Sequence, residues 1–214
     1  MLFRSGQSRS YKNGRLFLAR GGGDGKGQVW DIAAGERIFL LDRHRGGGVK
    51  GVFVSGNGTY GITLGENGTT KVHDLESGSF LYHMNGPREP FFGRTNNIDS
   101  VIWTDDQKNM FISDSSAQWF DADAFKKNPK LKRPLGFTGV FEAATGKELY
   151  RFQYPDGSVI EGASNLEYCK QKDLIYMYAK SREKEKSFPG LWKASDGSFV
   201  RKIEPMVPGM YSAC

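Results

Sequence analysis

The sequence predicts an all-β protein built from β-propeller blades, each a sheet of four antiparallel strands. Three observations lead to this prediction. Of the 214 residues, 28 are glycine and 13% are aromatic, which favours short strands joined by tight turns. No amphipathic helix of useful length is visible in the sequence. One strand–turn–strand motif recurs four times, so we expect about four blades that form an open arc or a partial propeller.

The repeated motif is an apolar strand, a turn that contains glycine, and a second, alternating strand. Its copies are QVWDIAAGERIFLL (28–41), KVHDLESGSFLYHM (71–84), GVFEAATGKELYRF (139–152) and GLWKASDGSFVRKI (190–203). An aromatic or histidine residue near the end of the first strand precedes the turn glycine by five positions. These residues are Trp30, His73, Phe141 and Trp192, followed by Gly35, Gly78, Gly146 and Gly197. A β-sandwich, the alternative architecture, leaves four copies in one register unexplained.

Two further short strands are expected ahead of each hairpin. In the first unit they lie within 2–8 and at 15–19, with the third strand at 27–32. The second unit has them at 49–55 and 60–65, and the third unit at 98–104 and 110–113. A long insertion then precedes the third strand at 137–142. The fourth unit has strands at 165–170, 174–180 and 189–193.

These units form a single propeller domain over 1–214, with blades at about 2–41, 49–84, 98–153 and 162–203. Residues 204–214 are either the start of a further blade or a tail. One twisted sheet cannot cover both of its own faces, whereas radially stacked sheets cover one another. Four blades are few for a closed ring, so further blades or another chain are expected to complete it.

The motif residues resemble the WD-repeat β-propeller family. Trp30-Asp31 is a literal Trp-Asp pair, and His73-Asp74 stands where the next pair is expected. In that family a histidine, a serine or threonine, a turn aspartate and the tryptophan form a buried hydrogen-bonded tetrad. The resemblance assigns these roles to His44, Thr63, Asn67 and His73. A broader resemblance to quinoprotein-type propellers is an alternative, and either one implies a fold and says little about function.

No catalytic, cofactor or metal site is predicted. The glycine-rich stretch GGGDGKG (21–27) has Arg20 where a phosphate loop needs glycine, and it precedes a strand. The three histidines, His44, His73 and His83, lack the spacing of metal ligands. Cys169 is expected to be a buried, inert thiol. No apolar run is long enough to span a membrane and no signal peptide is visible, so we expect a cytoplasmic protein, with a nuclear location as the alternative.

The expected binding region consists of three long connections, at 86–97, 115–136 and 180–190, which antiparallel topology places on one face of the propeller. Long loops on a rigid scaffold are common binding sites, and aromatic residues beside arginine favour protein interfaces. The alternative interpretation is a set of solvated loops. We expect a non-catalytic interaction scaffold that binds an acidic protein partner. Binding of RNA or a ribonucleoprotein through the same face is the alternative, and a propeller enzyme or sensor domain is a further one. The candidate partner-binding residues are Arg88, Phe91, Phe92, Arg94, Trp119, Lys126, Lys127, Lys130, Lys132 and Arg133.

Overall fold

The computed structural model describes residues 7–12, 15–21, 24–44, 48–66, 69–84, 98–114, 137–181 and 187–204. These residues form four sheets of four antiparallel strands, and they contain no α-helix. One short 3-10 turn, Lys170–Lys172, is the helical element among them. The predicted fold class, all-β with four-stranded blades, is therefore confirmed.

The strands follow one another along the chain without crossing over. Sheet 1 contains β1 (Gln7–Lys12), β2 (Arg15–Gly21), β3 (Gly27–Asp31) and β4 (Glu36–Leu40). Sheet 2 contains β5 (Val49–Val54), β6 (Tyr60–Gly65), β7 (Thr70–Asp74) and β8 (Phe80–His83). Sheet 3 contains β9 (Ile98–Trp103), β10 (Asn109–Asp114), β11 (Phe137–Glu142) and β12 (Glu148–Arg151). Sheet 4 contains β13 (Gly162–Cys169), β14 (Leu174–Lys180), β15 (Phe188–Lys193) and β16 (Phe199–Lys202).

Two strands start three or more residues from their predicted positions, and the other predicted strands start within one residue of theirs. Strand β1 spans Gln7–Lys12, so it lies further along the chain than the predicted segment 2–8 and shares two residues with it. Strand β13 starts at Gly162, three residues before the predicted start at 165. Both first strands begin with small or polar residues, which carry a weak strand signal, and their pairing with the following strand fixes their position.

Each sheet has two ends, which we name by the connections they carry. The turns between the first and second strands, and between the third and fourth, lie at one end, which we call the turn end. The segment between the second and third strands leaves from the opposite end, which we call the loop end. The first strand of each sheet also starts at the loop end, and the fourth strand finishes there.

The turn between the third and fourth strands explains the repeated glycine. Gly35, Gly78, Gly146 and Gly197 all have positive φ angles, between 70° and 76°. In sheets 1 and 2 the acid that ends the third strand also caps this turn. Oδ1 of Asp31 accepts from the N–H groups of Ala33 and Ala34, and Oδ1 of Asp74 accepts from those of Glu76 and Ser77. The aspartate of the Trp-Asp pair therefore stabilises the hairpin turn.

A β-bulge occurs at the same place in all four sheets. The register between the third and fourth strands shifts by one residue next to Trp30, His73, Phe141 and Trp192. The residue left without a partner in the ladder is always aliphatic, three positions after the turn glycine. These residues are Ile38, Leu81, Leu149 and Val200, and each is exposed.

The chain divides into two compact units. Unit 1 comprises residues 1–96 with the turn segments 105–109 and 142–147, and unit 2 comprises 97–104, 110–141 and 148–214. In unit 1 an apolar cluster joins sheet 1 to sheet 2 and contains Val29, Leu41, Val52, Val54 and Leu75, with Phe39 against it. In unit 2 a larger cluster joins sheet 3 to sheet 4 around Phe111, Phe152 and Trp192. Each unit therefore has its own buried core.

An aromatic ring four residues after a turn glycine contacts the turn of the next sheet. A Cβ atom added to Gly78 would lie 2.5 Å from Cδ1 of Phe39, and one added to Gly146 would collide with the ring of Tyr82. Tyr150 contacts Gly197 in the same way. The Tyr82 hydroxyl donates to the Ala143 carbonyl at 2.7 Å, and the Tyr150 hydroxyl donates to the Ala194 carbonyl. These turns therefore need glycine both for φ and for space.

Within the described residues, no helix is long and apolar enough to cross a membrane.

Candidate functional site

The predicted partner-binding residues all lie outside the described residues. They fall in two segments, 85–97 and 115–136, that connect described strands. The strands that flank the segments are described, and they show where each segment leaves and rejoins the fold. The structure therefore locates the points at which the two segments join the described strands.

Both segments attach at the loop end of sheet 3. Ile98, which follows segment 85–97, pairs directly with Asp114, which precedes segment 115–136. Phe137, where strand β11 begins, lies at the same end because β11 follows β10 in the antiparallel order. Two of the three long connections that were predicted to share a face, 86–97 and 115–136, are therefore attached at the loop end of the same sheet.

A buried hydroxyl fixes this edge to sheet 4. The Oγ of Ser113, next to the attachment point, accepts from the N–H of Ala163 at 2.7 Å and lies 2.6 Å from the Ala163 carbonyl, to which it donates. The hydroxyl of Thr138, which is also buried, lies 3.3 Å from the same Oγ. Ala163 is near the start of β13, so Ser113 joins the loop ends of the two sheets within unit 2.

The third connection leaves from the loop end of sheet 4. Lys180, at the end of β14, pairs with Gly162, and Ala179 pairs with Phe188 of β15. Ser181 and Ser187 close the base of the segment between them, since the Ser181 N–H donates to the Ser187 Oγ at 3.0 Å. Because Ser113 joins the two loop ends, the segments 115–136 and 182–186 are attached on the same side of unit 2.

A second cluster, in unit 1, contains three of the four residues assigned to the tetrad. His44 Nε2 lies 2.8 Å from Thr63 Oγ1, and Thr63 Oγ1 lies 3.2 Å from His73 Nε2. His44 Nδ1 lies 2.6 Å from the hydroxyl of Thr69. His44, Thr63 and His73 are fully buried. Asn67, the fourth residue, lies outside the described part of the chain.

The single hydroxyl hydrogen of Thr63 gives this chain a direction. Thr63 has one proton to donate, so it can donate to one imidazole and must accept from the other. One consistent arrangement runs from His73 Nε2–H to Thr63, from Thr63 to His44 Nε2, and from His44 Nδ1–H to Thr69. It leaves His73 Nδ1, which is buried without a hydrogen-bond partner among the described residues, as a bare acceptor. Both rings are neutral in this arrangement.

A buried lysine lies beside the histidines. Lys71 is on the same face of β7 as His73, and its Nζ donates to the Asp42 carboxylate and, at 2.8 Å, to the Arg43 carbonyl. The same ammonium lies 5.4 Å from the centre of the Phe80 ring. Asp42 is half-exposed, so the ion pair connects the interior of sheet 2 to its surface.

Burial, with a smaller contribution from the Lys71 charge, lowers the pKa of His44 and of His73 to about 4. The hydrogen bond from Lys71 lowers the pKa of Asp42 further below its ordinary value. At neutral pH the cluster therefore holds one cation, one anion and two uncharged rings. This arrangement suits a structural role, since neither imidazole reaches solvent.

The remaining repeat residues occupy similar places in their sheets. Phe141 and Trp192 are buried, and the Trp192 Nε1–H donates to the Gln153 carbonyl at 2.8 Å. Trp30 is only half-buried, and its Nε1–H donates to Gln28 of its own strand. Asp31 and Asp74 cap turns, as described above.

Among the described residues, no group of three or more His, Cys, Asp or Glu side chains is placed to hold a metal ion. Comparison of the sequence with models of protein families finds no match, and comparison with curated proteins finds none either. Cys169 is buried in β13.

Sequence reasoning missed Thr69 and Lys71. Thr69 directly follows the turn that contains Asn67, so a search for any hydroxyl or acid near that turn would have found it. Lys71 had no such signal, because an isolated lysine in a strand is normally expected at the surface. Its burial depends on Asp42, which is 29 residues away in sequence.

Proposed function

We propose that the protein is a non-catalytic interaction scaffold of the WD-repeat type, which binds an acidic protein partner through the basic and aromatic segments at the loop ends of sheets 3 and 4. The observation that carries the proposal is the pairing of Ile98 with Asp114. It supports a shared attachment edge for segments 85–97 and 115–136, which hold all ten candidate residues.

The charge of the longer segment supports an acidic partner. Five of the ten residues in 124–133 are Lys or Arg, and none is Asp or Glu. The attachment edge is well suited to hold such a segment, because Ser113 and Thr138 tie it to the buried core of unit 2. A rigid base with variable connections is the usual arrangement of binding surfaces on repeat scaffolds.

The WD-repeat assignment is supported by the buried His44–Thr63–His73 chain and by the capping of the hairpin turn by Asp31 and Asp74. Both features stabilise the fold and neither provides a reactive group at the surface. A cytoplasmic location agrees with the expected binding role and remains part of the proposal.

The test is a charge-removal variant with a matched control. The variant replaces Lys126, Lys127, Lys130, Lys132 and Arg133 with alanine. The control removes five exposed cations at the turn ends of the sheets: Arg37, Lys108, Lys147, Lys172 and Lys193. Both variants lose the same charge, so the two differ in location alone.

Proteins captured from cell extract are identified by mass spectrometry for the wild type and both variants, and binding of the recovered partner is then measured with purified proteins. We expect the loop variant to lose the partner and the control to keep it. Equal loss in both variants would mean that net charge alone drives binding. Capture of RNA with a steep dependence on salt would favour the nucleic-acid alternative and contradict a protein partner.

A further inference from the structure

Within each of the two units, the junction between the two sheets has the same construction. We call the face of a sheet that carries Trp30, His73, Phe141 or Trp192 its front face, and the opposite face its back face. The back face carries Val29, Val72, Val140 or Leu191, paired across the ladder with the residue four positions after the turn glycine. In unit 1 the back face of sheet 1 packs on the front face of sheet 2, and in unit 2 sheet 3 packs on sheet 4 in the same way.

Most of the third-strand residues that mark these faces are buried. On the back faces, Val29, Val72 and Val140 are at most 3% exposed. On the front faces, His73, Phe141 and Trp192 are buried as well. The residue three positions before the turn glycine is Leu75, Ala143 or Ala194, and all three are buried. The carbonyls of Ala143 and Ala194 accept the tyrosine hydrogen bonds. Within each unit the junction between the two sheets therefore excludes water.

Two faces lack this cover among the described residues. On the front face of sheet 1, Trp30 is half-exposed, and Ile32, the counterpart of Leu75, Ala143 and Ala194, is 46% exposed. No described atom lies within 4 Å of the position of a Cβ on Gly35. On the back face of sheet 4, Leu191 is half-exposed and Tyr178 is 37% exposed.

These two faces are complementary halves of the same junction. In the three described contacts between a ring and the next turn, the residue four positions after the glycine is Phe39, Tyr82 or Tyr150, and in sheet 4 it is Arg201. The residue after the turn glycine is Ser79, Lys147 or Ser198 in sheets 2 to 4, and Glu36 in sheet 1. Arg201 is the one basic residue among the four ring positions and lies on the uncovered back face of sheet 4, and Glu36, in the turn of sheet 1, is the one acidic residue among the four that follow the turn glycine.

We propose that two copies of the chain associate head to tail, with the back face of sheet 4 of one copy against the front face of sheet 1 of the other. Arg201 then takes the place of the tyrosine, and its guanidinium donates to the Ile32 carbonyl and lies beside Glu36. The turn from Asp31 to Arg37 carries two acids and one base, so it is net negative toward Arg201. The contact covers Trp30 and Leu191, as the internal junctions cover their counterparts.

Such an interface is heterologous, because different surfaces of the two copies meet. It does not depend on the proposed partner-binding segments, which leave from the loop ends, and its readout is molecular mass. A failure of partner binding and a failure of self-association can therefore be distinguished.

The first experiment is a charge exchange. Arg201→Glu and Glu36→Arg are made singly and together, with exposed Arg43→Glu and Glu76→Arg as controls. The dissociation constant is measured by sedimentation equilibrium and light scattering across a wide range of concentration. We expect each single change to raise it about fivefold, and the double variant and both controls to match the wild type. A wild-type protein that is monomeric throughout, or single variants that associate normally, would overturn the proposal.

The second experiment establishes the polarity of the contact. In a background with Cys169→Ser and Cys214→Ser, Glu36→Cys and Arg201→Cys are placed in separate chains, which are mixed and oxidised. A disulfide that forms only between the two different variants is expected. A disulfide between identical variants would indicate an isologous contact, and a Glu36→Cys, Arg201→Cys double variant that closes within one chain would indicate an intramolecular one. Either result contradicts the head-to-tail arrangement.

Discussion

Two junctions of the same construction use opposite chemistry. In unit 1 the third strand of sheet 2 presents His73, which joins a polar chain through Thr63 and His44 beside the Lys71–Asp42 ion pair. In unit 2 the third strand of sheet 4 presents Trp192, which packs among Phe188, Phe199 and the apolar cluster of sheet 3. The repeat therefore specifies a position and a direction, and a polar or an apolar set of side chains can fill it.

The two junctions depend on different forces. A buried apolar junction loses stability when its volume changes. A buried polar junction is sensitive to the loss of a single hydrogen-bond partner and to protonation.

The largest effect is expected from Trp192→Ala. The side chain is fully buried, so its removal leaves a cavity between sheets 3 and 4 and an unpaired Gln153 carbonyl. We expect a loss of about 3–5 kcal/mol in the free energy of unfolding, measured by urea denaturation. Trp30→Ala, at the half-exposed equivalent position, should cost clearly less. Equal losses would show that the difference in burial has no energetic meaning.

The next effect concerns the polar junction. Thr63→Val removes the hydroxyl that both imidazoles share and keeps the volume, so both Nε2 atoms lose a partner. A destabilisation of about 1–3 kcal/mol is expected. The matched control is Thr70→Val, because the Thr70 hydroxyl is buried with no hydrogen-bond partner among the described residues. Its loss should be neutral within about 0.5 kcal/mol. If Thr63→Val leaves the free energy of unfolding unchanged, the hydrogen-bond chain does not stabilise the fold.

Acidification should weaken the polar junction selectively. Since burial lowers the pKa of His44 and His73 to about 4, the unfolded chain binds more protons than the folded one between about pH 6.5 and pH 4. Stability is therefore full above pH 6.5 and falls with pH, by up to about 2.7 kcal/mol per unit if both rings take up a proton.

The measurement is the urea dependence of hydrogen exchange in peptides from β7 and β15 at pH 6.5 and pH 5. All three histidines of the sequence lie in unit 1, so the β15 peptide serves as the internal control. Equal protection of β7 at both pH values would contradict the prediction.

The smallest effect compares the two tyrosine contacts. Burial keeps both phenols protonated, and it raises the pKa of Tyr150 to about 12. Tyr82→Phe and Tyr150→Phe each remove one hydrogen bond to a turn carbonyl, so each should cost about 1 kcal/mol in thermal or urea denaturation. Tyr178→Phe, at an exposed position, should cost nothing measurable. If Tyr82→Phe and Tyr150→Phe differ in their cost, the two tyrosine contacts contribute unequally to stability, in addition to the difference between His73 and Trp192.

The sequence predicted the strands wherever a turn signal bounded them. Strands β6, β11 and β14 start and end where they were expected, because glycine or charged turns flank alternating residues. The resemblance also named His44, Thr63 and His73, whose side chains the structure brings within hydrogen-bond distance of one another. Lys71 and Thr69 were missed because their partners depend on the register between distant strands. The uncovered faces of sheets 1 and 4 could not be predicted from the sequence either. Whether Trp30 or Trp192 is exposed or buried depends on the sheet packed against it and not on its own strand.

The four aligned bulges have a consequence for how the protein behaves when crowded. The fourth strand of every sheet is an edge strand, and a long regular edge invites other chains to add strands and form fibres. The unpaired Ile38, Leu81, Leu149 and Val200 interrupt each ladder in the middle of a strand of four or five residues. An incoming strand therefore meets no uninterrupted template on this edge. Each copy of the repeat therefore contains a bulge that disfavours aggregation through the fourth strand.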